Sequence, residues 1–347
     1  MDAERVTLEE VRRLPLFCEV EDRDLALIAH GLERGSFAAG DFIFRQGDPA
    51  DCALFIAEGE AEIMTRLPGG DEVVVATVGA GAMIGETSLL EEGVRTATVR
   101  CTGPLTGFRM DRRFFRASVA QHDVAAFCIL RRVMRVMAER LGNLNLQIVR
   151  LAASSLSRPP EPAILGRRNE ALEQQPAFDG RAFMPILPFF REFRDADIDA
   201  LVGRARLFTL AKGITLFEQS DSSDSLFIVL RGALTMYCID DGAFYPLGIV
   251  GPGKVCGADD LIAGRPRAAG SVSSSEATVL ELPAAEFNAL IGDRSWLSFR
   301  FQAALCDAQL ELLASANRRL SHEVTHTAMK EQRAIASLVT PGSRAAS

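Results

Sequence analysis

The sequence predicts an α+β protein made of two tandem copies of one module. Each module is a small, jelly-roll-like antiparallel β-roll with flanking helices and a long C-terminal helix. The prediction rests on an internal repeat, on short apolar runs broken by turn residues in each copy, and on a long helical series that closes each copy. At 347 residues the chain exceeds one ordinary core, so two domains are expected.

The internal repeat is visible in matched residues. Several matches lie 173 positions apart: residues 14–17 with 187–190, Gly40 with Gly213, and Gly59 with Gly232. Gly85 and Arg95 instead match Gly257 and Arg267 at an offset of 172. One residue is therefore missing from a loop of the second copy, as expected for a duplicated unit.

Each copy is expected to open with a short helix and to continue as a roll. Leu25, Ile28, Ala29 and Leu32 give the helical spacing in the first copy. Short apolar runs bounded by Gly, Pro or Asp then predict strands: residues 41–44, 54–56, 61–64 and 73–78. A Pro- and Ser-rich stretch separates the copies. The expected domains are 10–151 and 183–325, with a linker at 152–182 and a polar tail at 326–347.

Two series with alternating steps of three and four predict coiled-coil seams on the closing helices. The first series comprises Phe127, Leu130, Met134, Met137, Leu141, Leu144, Ile148 and Leu151. The second comprises Phe299, Ala303, Cys306, Leu310, Leu313, Asn317, Leu320 and Val324. A buried Asn317 would fix the register of such a seam at a cost in stability. The alternative is that each helix packs back on its own roll.

Composition excludes several classes of protein. The chain carries 38 Lys and Arg against 46 Asp and Glu, so no broad positive field favours nucleic acid or an anionic membrane. The seven cysteines are scattered singly without a Cys-x-x-Cys pair, which indicates reduced, buried thiols. There is no secretory signal pattern and no apolar run of roughly 20 residues, so a cytoplasmic protein without a membrane span is expected.

One cassette carries chemistry suited to a cyclic phosphodiester. It reads Gly85-Glu86-Thr87-Ser88-Leu89-Leu90 and continues to Arg95-Thr96-Ala97. A guanidinium such as that of Arg95 forms a bidentate, charge-assisted pair with phosphate oxygens, and N–H groups at a short helix start add to it. Glu86 suits a ribose hydroxyl donor, and Gly85 lets the backbone approach the sugar. The competing interpretation is a surface ion pair on a loop.

These residues resemble the cyclic nucleotide-binding domain family, which includes the catabolite activator protein and regulatory subunits of cAMP-dependent kinase. The family pattern of Gly-Glu, a Leu and Arg-(Ser/Thr/Ala)-Ala is matched by Gly85, Glu86, Leu89, Arg95, Thr96 and Ala97. The resemblance covers residues 14–151 and 187–320. It implies that Gly85 and Glu86 bind ribose and Arg95 binds phosphate, with Thr87, Leu89, Thr96 and Ala97 also at the ligand. The implied ligand is cAMP or cGMP, and Thr96 tilts the choice slightly toward cGMP.

The second copy departs from the pattern. Gly257, Arg267 and Ala268 are retained as weaker ligand-binding candidates, whereas Ala258 replaces the ribose Glu. The loss of that acceptor costs about 1 to 3 kcal/mol, so this site is expected to be weak or empty. Asp259 is a poor substitute because it is shorter and one position displaced. Arg265 offers a second guanidinium that suits a different anionic ligand.

Two further signals are rejected on sequence context. His322-Glu323-Val324-Thr325-His326 matches a zinc protease signature, but it lies in a polar helix with little sequence after it to wall a cleft. The chain also offers no room for the helix-turn-helix domain that follows the roll in the catabolite activator family. We therefore expect no catalytic activity, no bound metal, no cofactor and no DNA binding.

The resulting hypothesis is a non-enzymatic cytoplasmic receptor. Nucleotide bound in the first copy is expected to swing the helix at 127–151 and so change its contact with an unknown protein partner. The alternative is a structural or assembly protein that keeps the rolls as a scaffold with little ligand control. Two assemblies suit the seams: a homodimer, or intramolecular pairing of the two copies.

Overall fold

The computed structural model describes residues 5–18, 20–66, 72–90, 92–121, 123–153, 164–169, 173–175 and 179–339. It divides into two compact units. Unit 1 comprises Met1–Val133 and Arg294–Cys306, and unit 2 comprises Met134–Asp293 and Asp307–Ser347. Each unit contains one antiparallel β-roll, here called roll one and roll two, so the predicted α+β fold of two tandem rolls with long closing helices is confirmed.

Roll one is preceded by two short helices, α1 (Leu8–Arg12) and α2 (Asp22–His30). Its strands are β1 (Leu32–Phe37), β2 (Phe42–Phe44), β3 (Pro49–Ala50), β4 (Cys52–Glu58), β5 (Glu60–Arg66), β6 (Glu72–Gly79), β7 (Met83–Ile84), β8 (Gly93–Val94), β9 (Thr98–Cys101) and β10 (Leu105–Asp111). Helix α3 (Thr87–Leu90) interrupts the strands, and α4 (Arg112–Gln121) and α5 (Val124–Ala153) follow them.

The strands of roll one form two four-stranded sheets, ordered β1-β10-β4-β7 and β2-β9-β5-β6, with β3 paired to β8. The apolar side chains of both sheets form one core: Leu54, Ile56, Ala61, Ile84, Val99, Cys101 and Leu105. Turn residues separate the short apolar runs that form these strands, as the sequence predicted.

Roll two repeats this design. Helices α6 (Gly180–Phe183) and α7 (Asp195–Val202) come first, with 3₁₀ turns at Met184–Ile186 and Pro188–Phe190 between them. Its own strands are β13 (Arg206–Leu210), β14 (Ile214–Phe217), β15 (Ser225–Arg231), β16 (Leu234–Asp240), β17 (Ala243–Val250), β18 (Val255–Cys256), β19 (Gly270–Ser273) and β20 (Ala277–Pro283). Helices α8 (Ala258–Ala263), α9 (Ala284–Gly292) and α10 (Trp296–Val339) complete it.

The two rolls share strand register as well as strand order. The β5–β6 hairpin has a register shift between Ile63 and Met64, and the β16–β17 hairpin has one between Met236 and Tyr237. These positions are 173 residues apart. Because the irregularity lies at the same place in both copies, the two hairpins share the same pattern of strand pairing.

The stretch between the copies contributes two strands to roll two. β11 (Gly166–Arg167) pairs parallel with β14, and β12 (Glu173–Gln174) pairs antiparallel with β13. Each extends one sheet to five strands. Sequence patterns did not predict these strands, because a two-residue strand has no periodicity of its own and forms only through its tertiary partner.

Within unit 2, Arg168 of this stretch forms a paired interaction with the buried carboxylate of Glu281. Its Nη1 and Nη2 lie 3.0 and 2.6 Å from Oε1 and Oε2, and its guanidinium lies 4.5 Å from the ring centre of Phe208. Such bidentate pairs are among the stronger charge-assisted contacts. The stretch is therefore anchored to roll two by a side chain as well as by strand pairing.

The seam on α5 is buried as predicted, within a single chain. Phe127, Leu130, Met134, Met137, Leu141 and Ile148 are buried, and Leu144 and Leu151 are half-buried. In unit 1 the thiol of Cys306 on α10 faces the Leu130 carbonyl oxygen at 3.9 Å. In unit 2 the Gln309 amide donates to the carbonyl oxygen of Met134 at 3.0 Å. Helix α5 thus has a partner helix in its own chain.

The seam on α10 differs from the prediction. Phe299, Cys306 and Leu313 are buried, but Ala303, Leu310, Asn317 and Leu320 are only half-buried, and the side chain of Val324 lies outside the described residues. The buried stripe runs through Leu305, Gln309 and Ala316 instead. The polar residue placed against α5 is therefore Gln309 rather than Asn317, because the roll as well as the helix selects the buried face.

Candidate functional site

The roll-one cassette (residues 85–90 and 92–97) begins directly after β7. Gly85 has φ of +73°, in the left-handed region that glycine adopts without strain. A Cβ at this position would lie 2.7 Å from Nη1 of Arg95 and 3.0 Å from the carbonyl oxygen of Cys52. Backbone conformation and available space therefore both require glycine here.

Arg95 is held in a polar cage rather than in a surface ion pair. Only 6% of it is exposed, and Nη1 donates to the Cys52 carbonyl oxygen at 2.7 Å and to Oγ of Ser88 at 2.9 Å. Nη2 lies 3.1 Å from Sγ of Cys52 and 3.4 Å from the largely exposed carboxylate of Asp51. The guanidinium also stacks 3.6 Å from the ring centre of Phe44. These contacts fix the orientation of the guanidinium.

The other cassette residues divide by burial. Glu86 is 8% exposed, and Leu89 is fully buried and anchors α3 in the roll. Thr87 and Ala97 are half-buried, whereas Thr96 is exposed. The structure thus gathers Gly85, Ser88 and Arg95 around one point, with Thr96 facing solvent beside them.

Three members of the Arg95 cage were not predicted from the sequence: Phe44, Asp51 and Cys52. They lie 43 to 51 positions before Arg95, so no local motif includes them. A signal was present in the repeat. Each has a counterpart 173 residues later, which is Phe217, Asp224 or Ser225.

Roll two builds the same cage around Arg267. Nη1 donates to the carbonyl oxygen of Gly257 at 2.6 Å, and Nη2 donates to the carbonyl oxygen of Ser225. Asp224 lies 3.8 Å away, and the ring centre of Phe217 lies 4.4 Å from the guanidinium. Only 1% of the side chain is exposed, and this burial lowers the pKa of Arg267 from its usual value.

Comparison with known proteins identifies these two cages. The family model of the cyclic nucleotide-binding domain matches residues 34–122 and 207–294, which together exceed half of the chain. The chain belongs to this family. The two matched segments are two cyclic nucleotide-binding domains in tandem, and each of them contains one cage arginine.

Relatives with this domain differ widely in overall length. The chain is 29% identical over 137 residues to a CRP-like cAMP-activated global transcriptional regulator of Mycobacterium tuberculosis, covering 40% of this chain and 59% of that protein. It is 33% identical over 108 residues to a cAMP-dependent protein kinase regulatory subunit of Blastocladiella emersonii, covering 31% and 26%. It therefore spans less than two thirds of the length of either relative.

Among solved structures, the regulatory domain of Toxoplasma gondii PKA with cAMP is similar. The match covers 83% of this chain and 91% of that chain, at 19% identity and a TM-score of 0.31.

The second cyclic nucleotide-binding domain differs from the first at its cassette (residues 257–268, the roll-two cassette). Ala258 stands where roll one has Glu86, and it is buried. Oδ1 of Asp259 accepts a hydrogen bond from the Gln309 amide at 2.8 Å. Burial, together with the neighbouring Asp260, raises the pKa of Asp259 to about 6.

Arg265 is paired with a carboxylate of its own cassette. Its Nε donates to Oδ1 of Asp260 at 2.8 Å, and its Nη2 lies 3.4 Å from the carbonyl oxygen of Ala138 on α5. The other oxygen of Asp260 accepts from the backbone N–H of Ala268 at 3.0 Å. The sequence-based suggestion of a second anion site at Arg265 stays a prediction, and an external anion there would compete with the Asp260 carboxylate.

The described residues contain neither a metal-ligand cluster nor a helix that could span a membrane. In that part of the chain, His, Cys, Asp and Glu side chains form no group of three suited to a metal ion. None of the helices described is both long and apolar enough to cross a bilayer. The side chains of His322 and His326 lie outside the described residues.

Proposed function

We propose that roll one is a non-enzymatic receptor for cAMP or cGMP, with Arg95 as the phosphate ligand. The observation that carries the proposal is the buried Arg95 cage in the same cassette as the buried Glu86 and the closely packed Gly85. A buried guanidinium in a fixed orientation loses little conformational entropy on binding a phosphate. Glu86 accepts from the ribose hydroxyl in this arrangement.

The contacts of Arg95 indicate how a phosphate enters. Nη1 is committed to Cys52 and Ser88 at short distances, whereas Nη2 has the longer contact with Asp51. Asp51 also contacts Arg109 at 3.1 Å. A phosphate oxygen replaces Asp51 at Nη2, and Asp51 keeps its charge balanced by Arg109.

The route of the signal leads from the cassette into the helices. Ser88 accepts from Arg95 through its hydroxyl, and its backbone carbonyl oxygen accepts from Nε of Arg112, the first residue of α4. Helix α4 leads into α5 at Asp123, whose carboxylate caps α5 through the N–H of Ala126. Ligand at Arg95 thereby displaces the start of α5, and the downstream protein partner responds to that helix.

Calorimetric titration of the full chain with cAMP, cGMP and cyclic di-GMP tests the proposal. We expect micromolar or tighter binding of cAMP or cGMP that weakens at least a hundredfold in Arg95→Ala. Arg100→Ala is the matched control, since Arg100 lies on the next strand, is exposed and pairs with Glu62, and it should change affinity less than threefold. The absence of heat with all three ligands would favour a scaffold in which the rolls serve assembly alone.

A further inference from the structure

Roll two carries an anion of its own where roll one carries a hydroxyl. Asp260 occupies the position of Ser88, 172 residues later, and is 8% exposed. Its two oxygens accept from Nε of Arg265 and from the N–H of Ala268, the residue that follows the cage arginine. A phosphate that accepted from the N–H of Ala268 would have to displace this carboxylate, and the two anions would repel each other.

Arg265 connects this carboxylate to helix α5. Besides its contact with the Ala138 carbonyl oxygen, its guanidinium lies flat against α5 at Gly142. A Cβ on Gly142 would stand 2.8 Å from Cζ of Arg265. Glycine inside a helix costs about 1 kcal/mol relative to alanine. Arg265 thus occupies the space that a side chain at position 142 of α5 would take.

A second polar contact ties the roll-two cassette to α5 through α10. The Gln309 amide nitrogen donates to the Met134 carbonyl oxygen at 3.0 Å and to Oδ1 of Asp259 at 2.8 Å. One buried side chain thus bridges α5 and the cassette. Both halves of the cassette, at Asp259 and at Arg265, are engaged by helices.

Apolar packing completes the contact. Val149 of α5 is buried against Cys238 and Ala269, with Met236, Tyr245 and Leu247 at the margin. The hairpin register makes Tyr245 and Leu247 the counterparts of Val73 and Val75 in roll one. Those valines are 42% and 54% exposed. The face that roll one leaves open is thus covered by α5 in roll two.

We propose that the roll-two cassette is a binding surface for helix α5 of its own chain, with the Asp260 carboxylate in place of a nucleotide phosphate. Nucleotide and α5 compete for this surface, and α5 holds it in the native protein. The inference goes beyond the proposed function, because it concerns roll two whether or not roll one binds cAMP or cGMP.

Amide hydrogen exchange over residues 134–149 of the full chain tests this surface directly. In Arg265→Ala we expect exchange in this segment to rise at least threefold, because the bridge from Asp260 to α5 is lost. Arg191→Ala, an exposed arginine of unit 2, is the control and should leave exchange unchanged. Unchanged exchange in Arg265→Ala would overturn the proposal.

Competition is tested by rebuilding the roll-one pattern in roll two. The background is Arg95→Ala, so that only roll two is observed in titration with cAMP and cGMP. Ala258→Glu with Asp260→Ser should create binding in this background, and ligand should then accelerate exchange over residues 134–149. Micromolar binding by roll two without these changes, lost in Arg267→Ala, would refute the proposal. If the triple variant does not fold, Asp260→Ser alone is measured, with faster exchange in α5 as the expected result and unchanged exchange as the contrary one.

Discussion

Gly85 and Arg95 fit together because Gly85 has no side chain: a Cβ there would come within 2.7 Å of the guanidinium. Gly257 and Arg267 repeat the same close approach in roll two. The glycine of the family pattern thus supports the arginine as well as the approach of a ligand. This relationship leads to the first prediction.

Gly85→Ala should weaken nucleotide binding at least tenfold, because the added methyl group displaces Arg95 from its cage. Gly40→Ala is the matched control: Gly40 also has positive φ, +83°, but a Cβ there meets nothing within 4 Å. Both variants carry the backbone strain of an alanine in the left-handed region, about 1 kcal/mol. Titration of both with the same nucleotide separates strain from contact, and equal losses of affinity would argue against the cage.

Phe44→Leu should weaken binding about fivefold, since a stacked cation–π contact contributes about 1 kcal/mol to the placement of a guanidinium. Phe42→Leu offers a close comparison, because Phe42 stacks on Arg45 at 3.7 Å, outside the Arg95 cage. The affinity of Phe42→Leu for the nucleotide should stay within twofold of that of the parent chain. If Phe44→Leu binds as tightly as the parent, the ring does not position Arg95.

Arg168→Ala should lower the free energy of unfolding of unit 2 by about 2 kcal/mol, because it leaves the buried Glu281 carboxylate poorly paired. The loss is limited by Ser225, which donates to Glu281 at 3.0 Å, and by Arg206 at 3.5 Å. Arg167→Ala removes the neighbouring arginine, which is 55% exposed, and should cost less than about 1 kcal/mol. Urea unfolding followed by circular dichroism measures both, and similar losses would contradict the anchoring role of Arg168.

Asp259 should make stability depend on pH. Its pKa in the fold, about 6, lies above the ordinary value of 3.8, so the folded state binds more protons than the unfolded chain between these values. The contribution of Asp259 to the free energy of unfolding is therefore fully present below about pH 4 and is lost as the pH rises through 6. The free energy of unfolding falls by at most about 1.4 kcal/mol per pH unit over this range. Asp260 adds to the shift, and Arg265 and the Gln309 amide oppose it.

Asp259→Asn should remove this pH dependence and stabilise the protein at pH 7.5, since the amide oxygen still accepts from Gln309. Asp240→Asn, an exposed aspartate of the same roll, should do neither. Thermal unfolding from pH 4.5 to 7.5 gives the comparison. A parent chain that gains stability across this range relative to Asp259→Asn would show the opposite sign and reject the assignment.

The sequence predicted the architecture well because duplication makes a signal that does not depend on local propensity. The offset of 173, the cassette of Gly85 and Arg95 and the seam on α5 were all visible without coordinates. Phe44, Asp51 and Cys52 were not found, although the same offset connects each to a like residue in roll two. The repeat thus carries a signal for these three residues even though they lie outside the cassette motif.

The remaining features depend on contacts across long stretches of chain. β11 and β12 exist because roll two has open sheet edges, and nothing in residues 166–174 alone predicts a strand. Gly142 resembles an ordinary helix defect until Arg265, 123 positions later, is placed against it. The choice of Gln309 over Asn317 as the buried polar residue likewise follows from packing on Asp259 and Met134.

The number of nucleotides bound per chain tests the central claim most directly. Equilibrium dialysis of the full chain, Arg95→Ala and Arg267→Ala against labelled cAMP or cGMP separates the two cages. The account predicts one nucleotide per chain, abolished in Arg95→Ala and retained in Arg267→Ala. Two nucleotides per chain, or a single one lost with Arg267 and kept without Arg95, would contradict it.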